Sequence, residues 1–289
     1  MKKGLPIVFL HDDYPDYLDT TFLQAQKSNP DSRIILIGSK KNANCPDFVE
    51  HYDCEEISSE LIERIEKAYV HFSPNSYKYD IFCIKRWFFM LELFKKLNIN
   101  SFLHLDPDVL IYVNATKEIK NYQNCEFTLS GVSGHTMYVN NLEVLEKFCK
   151  FVVELYENPY SLSVIKNMGE SCVISDMNLL IMFTYFIGRE NVAFLDKKRD
   201  NAIYDIKFDY TSKEFFSKII FENNGFYGIE KGSGQKVFYK TIHFQGKMKK
   251  YMEMAYKYHK IIHKRYLPIY DFIQFWQSKL FPKIFFEQE

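Results

Sequence analysis

Apolar and polar positions alternate in blocks along the first third of the chain, in the pattern expected of strands and helices. Short apolar runs at 7–10 and 34–37 predict two strands, and the segment between them, 17–27, has helical spacing. Helices are also predicted at 58–72 and 79–97, and the second of these is apolar almost all round, as expected of a helix packed between layers. The alternation of strand and helix predicts a parallel α/β sheet.

The rest of the chain supplies further elements without a break between them. The predicted strands lie at 101–105, 127–130, 136–139 and 236–244, the predicted helices at 142–156 and 174–187, and a glycine-rich hairpin at 225–234. No repeat, low-complexity stretch or linker divides these elements. We therefore expect one α/β domain over 1–250, followed by a basic and aromatic helical tail over 251–289.

Composition narrows the class of protein but does not identify it. The 289 residues are 47% hydrophobic, which supplies a sizeable core, and 37 basic residues balance 37 acidic ones, so net charge gives no support for binding nucleic acid. The six cysteines are scattered and predict reduced thiols rather than disulfides or a zinc site. The first apolar run is too short for a signal sequence or a membrane span, so we expect a cytoplasmic protein.

Two carboxylates follow the predicted strand at 101–105. Asp106 and Asp108 are two positions apart, and side chains at that spacing in an extended segment lie on the same side. Pro107 has no N–H to donate to a neighbouring strand, so the chain is expected to leave the sheet there. Paired carboxylates of this kind suit Mg²⁺ or Mn²⁺, although the same three residues could also form a simple polar turn.

A second group of polar residues follows the predicted strand at 236–244. His243 ends that strand, Gly246 permits close approach of the backbone, and Lys249 comes three positions later. A neutral imidazole can join two carboxylates on a metal, and a lysine can neutralise phosphate oxygens. Taken alone, His243 is better explained as an ordinary surface or core histidine than as a metal ligand.

Together, the segments 102–108 and 243–249 resemble the DxD and HxxGxxK motifs of glycosyltransferase family eight. That family has the A-type glycosyltransferase fold, a Rossmann-like mixed sheet flanked by helices, and the resemblance covers 7–250. It implies a nucleotide-sugar donor, with UDP as the expected nucleotide, and transfer with retention of configuration. By resemblance the roles divide as follows: Asp106 contacts metal and ribose, Asp108 and His243 bind Mn²⁺, and Gly246 and Lys249 hold the donor diphosphate.

Three further positions are assigned to the donor by the same resemblance. Arg86 lies on the helix before the DxD strand, where such enzymes often carry a basic residue, although an ion pair that anchors the helix would explain it equally well. His11 and Asp12 follow the first strand, where in this fold the nucleotide base and ribose dock. A solvated loop is the plain alternative there.

The acceptor side departs from the family pattern. In place of an Asn-Ser-Gly stretch and an Asp-Gln-Asp loop, the chain has Ser133-Gly134-His135-Thr136 and Ser175-Asp176-Met177-Asn178. Asp176 is the candidate catalytic carboxylate on this side. It could equally be the N-cap of the apolar helix that follows.

The segment from Lys247 to Glu289 carries nine basic residues against four acidic ones, together with many aromatic residues. A basic aromatic segment can lie on an anionic membrane surface, which would suit an acceptor such as a lipid-linked or surface glycan of the lipopolysaccharide type. The same aromatic side chains could instead pack back onto the domain.

We therefore expect a metal-dependent hexosyltransferase. A phosphohydrolase of the haloacid-dehalogenase type also carries Asp-x-Asp after an apolar strand, but it needs Thr or Val where Leu110 stands and has that motif close to the start of its domain. A sugar nucleotidyltransferase would need a Gly-rich basic signature after the first strand, which 11–15 lacks. A protein of the same fold that binds nucleotide-sugar without catalysis remains open.

Overall fold

The computed structural model describes residues 2–167 and 173–258, which form a mixed α/β fold as predicted. The strands are β1 (Ile7–His11), β2 (Ile34–Gly38), β3 (Val49–Asp53), β4 (Phe102–Leu105), β5 (Val109–Ile111), β6 (Phe127–Leu129), β7 (Thr136–Val139), β8 (Val192–Phe194), β9 (Ala202–Tyr204), β10 (Phe216–Glu222), β11 (Gly225–Glu230) and β12 (Lys236–His243). The helices are α1 (Tyr17–Ser28), α2 (Glu60–Ala68), α3 (Tyr77–Leu97), α4 (Ala115–Glu118), α5 (Leu142–Glu157), α6 (Pro159–Asn167), α7 (Asp176–Ile187), α8 (Phe208–Phe215) and α9 (Met252–Tyr258).

Within the described residues, the main sheet has seven strands in the order β3-β2-β1-β4-β7-β6-β8. Strands β3, β2, β1 and β4 are parallel, whereas β7 runs antiparallel to both β4 and β6. The sequence of the first third predicted only the parallel part. Because neighbouring parallel strands end at the same edge, the carboxyl ends of β1 and β4 open onto one side of the sheet.

Strand β1 shows how the core is divided between the two faces of this sheet. Val8 and Leu10 point into a cluster filled by apolar side chains of α2, α3, α5 and α7. Ile7 and Phe9 point to the opposite face, where α1 packs. Both faces are covered, so the strand is an unbroken apolar run rather than an alternating one.

A smaller second sheet, absent from the sequence prediction, lies against the first. Strands β10, β11, β12 and β5 pair antiparallel in that order, and β9 pairs parallel with β12. The predicted hairpin is the β11–β12 pair. Strand β5 is only three residues long, so its apolar side chains give no periodic signal of a separate strand.

The predicted helices are present with shifted ends. Helix α3 begins two residues earlier than predicted, after Ser76, whose hydroxyl accepts from the Tyr79 N–H, and it ends at Asn98 in the left-handed conformation. Helix α2 is shorter than predicted: it starts after the N-cap Ser59 and ends before Tyr69, which is extended and packs its ring against Tyr156.

The beginning of the predicted tail packs onto the domain. Met252 and Ala255 of α9 are fully buried in the apolar cluster that packs against the second sheet, and α9 lies against α1. Residues 259–289 lie outside the described residues, so the predicted tail and its membrane contact stay predictions. Among the residues that the structure describes, no helix is both long and apolar enough to span a bilayer.

Candidate active site

A cleft of about 490 Å³ opens at the carboxyl ends of β1, β4 and β12. Every residue that the sequence assigned to the site lines this cleft, namely His11, Asp12, Arg86, Asp106, Asp108, Asp176, His243, Gly246 and Lys249. The structure therefore brings together side chains that are more than 200 positions apart in the chain. Their individual roles remain predictions.

The two sheets meet at the Asp-x-Asp segment. Asp106 follows β4 of the main sheet, and the chain then turns into β5, which belongs to the second sheet. The register of β5 on β12 places His243 opposite Val109, and the Phe244 N–H donates to the Asp108 carbonyl at 2.9 Å. A helix contact fixes the turn itself, because the Thr21 hydroxyl of α1 donates to the Pro107 carbonyl at 2.6 Å.

Asp106, Asp108 and His243 each offer a ligand atom, and these three atoms lie within 4.8 Å of one another. The Nδ1 of His243 is 2.6 Å from the Ile206 carbonyl, so Nδ1 carries the proton. Nε2 is then the atom that faces Asp108, at 3.4 Å from its Oδ1. Two carboxylates and an imidazole whose other nitrogen is tied to a carbonyl fit Mn²⁺, and also Mg²⁺.

The charges of the two carboxylates are balanced by different partners. Burial opposes ionisation of Asp106, but Arg86 at 2.8 Å and His104 at 3.4 Å outweigh burial and hold its pKa well below the usual range. Burial likewise opposes ionisation of Asp108, and His243 outweighs it and lowers the pKa. Both groups are therefore anions at neutral pH, which is the state that binds a cation.

The Asp108 carboxylate affects the pKa of both His243 and Lys249 in the same direction. Burial lowers the pKa of each, but the nearby Asp108 carboxylate outweighs burial and raises both. The Lys249 Nζ lies 3.2 Å from Asp108 Oδ2 and 5.5 Å from the centre of the Tyr17 ring. A fixed ammonium group thus stands beside the carboxylate pair, where it can meet an anionic ligand.

Arg86 forms ion pairs with two carboxylates of the cleft, Asp106 and Asp176. Its side chain is only 11% exposed, and its two terminal nitrogens lie 2.8 Å from Asp106 Oδ1 and 2.5 Å from Asp176 Oδ2. The guanidinium also stacks over the Trp87 ring, at 4.8 Å from the ring centre. The ion pair that was one interpretation of Arg86 is present, and it lies inside the cleft.

Asp176 is the first residue of α7, and Ser175 is the N-cap. The Asn178 side chain accepts from both the Ser175 N–H and its hydroxyl, at 3.1 and 2.7 Å. The carboxylate of Asp176 is therefore not needed to cap the helix, and it turns to Arg86 instead. The N-cap interpretation of Asp176 does not describe this structure.

Gly246 begins a short 3-10 turn after β12 with a φ of +62°, a conformation that favours glycine. No atom lies within 4 Å of where a Cβ would stand, so the position faces open space. The backbone there is accessible to a ligand, and close approach to the backbone is what the sequence analysis expected of Gly246.

His11 and Asp12 line the cleft at the carboxyl end of β1. The Asp13 N–H donates to His11 Nδ1 at 3.0 Å, and His11 Nε2 lies 3.1 Å from the Tyr17 hydroxyl. Burial lowers the pKa of His11, so its ring is neutral at pH 7. The Asp12 carboxylate pairs with the exposed Lys78 at 3.1 Å.

Several lining residues were not found from the sequence. Tyr17, Tyr79, Asp80, Cys83 and Gln245 all line the cleft. Each lies on a helix or turn where its type is common, so no spacing or motif separates it from an ordinary surface residue. Ser133 also lines the cleft, whereas the neighbouring Gly134 packs against Trp87, where a Cβ would stand 2.6 Å from the ring.

Neither a family model nor a curated protein sequence matches the chain. Solved structures do: the galactosyltransferase LgtC in complex with donor and acceptor sugar analogues aligns with a TM-score of 0.50 at 12% identity, over 96% of this chain and 100% of that chain. Mouse xyloside xylosyltransferase 1 in its apo form aligns with a TM-score of 0.47 at 12% identity, over 69% and 88%. The bifunctional glycosyltransferase WbbM aligns with a TM-score of 0.49 at 12% identity, over 86% and 46%. The match to LgtC over 96% of this chain confirms the predicted A-type glycosyltransferase fold.

Proposed function

We propose that this protein is a metal-dependent glycosyltransferase, similar to family eight, that moves a hexose from a nucleotide-sugar donor to a glycan acceptor. The observation that carries the proposal is the convergence of Asp106, Asp108 and His243 within 4.8 Å, with Lys249 beside them, in the cleft of an A-type glycosyltransferase fold. In this fold the carboxyl ends of the strands are where ligands bind.

On this proposal Asp106, Asp108 and His243 hold a divalent cation, Mn²⁺ or Mg²⁺. When bound, the cation neutralises charge on the donor diphosphate and on the nucleotide as it departs. Lys249 adds a second positive charge for the phosphates, and Gly246 lets the backbone approach them without a side chain in the way. His11 and Asp12 bind the nucleoside at the end of β1.

Arg86 is assigned to the donor and Asp176 to the acceptor side. The guanidinium holds the Asp176 carboxylate at 2.5 Å and the Asp106 carboxylate at 2.8 Å, so it fixes these two carboxylates relative to each other. The Asp176 carboxylate can accept a hydrogen bond from a sugar hydroxyl or stabilise positive charge at the anomeric carbon. This is the role we propose for it as the catalytic carboxylate.

The donor nucleotide, the stereochemistry and the acceptor are finer parts of the proposal. UDP and retention of configuration are supported by the resemblance of the two motifs to family eight. A lipid-linked or surface glycan as acceptor, and a cytoplasmic enzyme held at the membrane by its basic tail, are supported by the charge of 247–289.

The alternatives differ in how they fit the fold. A haloacid-dehalogenase-type phosphohydrolase has a different fold from the one this chain shares with LgtC, so we set it aside. A non-catalytic protein that binds nucleotide-sugar would have the same cleft and would bind the donor without turnover.

The proposal is tested by measuring nucleotide release from a panel of UDP-, GDP- and CMP-sugars, in Mn²⁺ or in EDTA. Slow release from one donor, dependent on Mn²⁺ and lost in Asp108→Asn, is the expected result. Asp31→Asn, which removes an exposed carboxylate outside the cleft, is the matched control and should behave as the unaltered chain. Donor binding without release would favour the non-catalytic protein, and release that continues in EDTA would sink the metal-dependent mechanism.

A further inference from the structure

His135 is a fully buried histidine that lies between the two sheets, behind the carboxylate pair. Its side chain is 1% exposed, and it is not among the residues that line the cleft. The sequence placed it in the segment 133–136, which was considered only for the acceptor side. In the structure, however, its contacts are with residues of the metal site.

The contacts of His135 reach two of the three residues of the metal site. Its carbonyl accepts from the Asp106 N–H at 2.8 Å, which fixes the backbone of the first carboxylate. Its ring stacks on the His243 ring, with 4.1 Å between the ring centres and 24° between the planes. Asp106 directly follows β4 of the main sheet and His243 ends β12 of the second sheet, so one residue connects the two halves of the site.

A third contact secures the same arrangement from behind. The His135 Nε2 is 3.2 Å from the Asp205 carbonyl, and an acceptor at that atom requires Nε2 to carry the proton. The fully buried Asp205 carboxylate accepts from the His243 N–H at 2.9 Å, and the next carbonyl, at Ile206, accepts from His243 Nδ1. The segment 205–206 therefore holds the backbone and the ring of His243, and His135 holds the segment.

We propose that His135 is a positioning residue for the metal site, which it orients through the ring plane of His243 and the backbone of Asp106. The inference rests on the metal site of the proposed function. A ligand imidazole coordinates only when its nitrogen points at the cation, and partners outside the ligand set commonly change metal affinity by about 10- to 100-fold. The flat His135 ring prevents rotation of His243 about its Cβ–Cγ bond, and the hydrogen bond to Asp205 keeps that ring in place.

The test is the affinity for Mn²⁺ alone, measured from the free Mn²⁺ signal by electron paramagnetic resonance. His135→Ala removes the ring and the donor, and we expect its Mn²⁺ affinity to fall at least about tenfold. His135→Phe keeps a flat ring but loses the hydrogen bond to Asp205, so its Mn²⁺ affinity should fall by less than the roughly tenfold loss expected of His135→Ala.

A buried substitution far from the site in the fold separates positioning from loss of stability. Phe127→Leu, on β6 and 1% exposed, lowers the melting temperature but leaves the three ligands untouched, so its Mn²⁺ affinity should be unchanged. Unchanged affinity in His135→Ala would overturn the inference, and so would an equal loss of affinity in Phe127→Leu. If the unaltered chain bound no Mn²⁺, the proposed metal site and this inference would fail together.

Discussion

Single residues in the cleft carry charges that depend on one another. Arg86 is the clearest case, because it is mostly buried and serves two carboxylates at once. A buried ion pair contributes little compared with apolar packing, but the loss of one partner leaves the other charge buried and uncompensated. Arg86 thus contributes both to the stability of the folded protein and to the chemistry of the cleft.

Replacement of Arg86 by Gln should lower the free energy of unfolding by about 3 kcal/mol, because Asp106 and Asp176 then lose their shared counter-charge. Urea unfolding in EDTA measures this. Arg64→Gln is the control: Arg64 also pairs with a carboxylate, Glu157, but both side chains are about 40% exposed, so solvent screens the pair and the loss should be much smaller than that of Arg86→Gln. Equal losses in the two variants would contradict our account of Arg86.

The thiol of Cys83 reports on the cleft without taking part in its chemistry. It is a free thiol, as are the other cysteines of the described residues, while Cys172 lies outside them. Burial raises the pKa of Cys83 to about 11, so the unreactive thiol form dominates at pH 7. We expect alkylation of Cys83 by iodoacetamide to accelerate about tenfold per pH unit from pH 7 toward pH 10, because the thiolate fraction rises as the pH approaches the pKa.

Peptide mapping by mass spectrometry separates Cys83 from the other thiols. Since Cys83 lines the cleft, UDP with Mn²⁺ should also slow its modification, whereas the half-buried Cys125, which does not line the cleft, should be modified at the same rate with or without the nucleotide. A pH-independent rate at Cys83 would show that its thiol is not shielded as the structure describes.

At the scale of elements, α1 supports the Asp-x-Asp turn through polar contacts as well as through its apolar packing. Thr21 donates to the Pro107 carbonyl, and both Gln24 and Ser28 donate to the Ile111 carbonyl at 2.8 Å. These carbonyls belong to the segment that passes from the main sheet to the second sheet. Without these three donors they would be buried without hydrogen-bond partners. The polar positions of α1 that face this segment are therefore specified by the backbone carbonyls to which they donate.

Thr21→Val keeps the shape of the side chain but removes the donor, so the Pro107 carbonyl is left without its partner. We expect a loss of about 1–3 kcal/mol in the free energy of unfolding and a weaker affinity for Mn²⁺, because Pro107 lies between the two carboxylates. Leu23→Gln, at a 38% exposed position on the same helix, should change stability by less than about 0.5 kcal/mol. A neutral Thr21→Val variant would mean that α1 does not hold the turn.

The elements also show what the sequence could and could not predict. Helices α3 and α5 were predicted to within two residues at each end, because long segments of helical periodicity and capping residues mark them. Strands β5, β8 and β9 have three residues each, too few for a periodic pattern, and β10 is mostly half-exposed or exposed along its length. Of these strands, β5, β9 and β10 belong to the second sheet, so that sheet escaped prediction although its hairpin did not.

At the scale of the whole molecule, the site exists only because two sheets meet. Asp106 and His243 are 137 positions apart, and the pairing of β5 with β12 brings them together. Residue types and spacing allowed the carboxylate pair, His243 and Lys249 to be predicted, because metal and phosphate chemistry restricts the choice of side chain. Tyr17, Cys83 and His135 were missed as parts of the site, because their place depends on packing that no local pattern encodes.

The central claim is that this cleft binds a nucleotide through a divalent cation held by Asp106, Asp108 and His243. Calorimetric titration with UDP tests it most directly, in Mn²⁺ and in EDTA, for the unaltered chain and for Asp108→Asn. We predict measurable binding in Mn²⁺ that weakens at least about tenfold in EDTA and in the variant. Binding of equal affinity in EDTA, or in Asp108→Asn with Mn²⁺ present, would contradict the account.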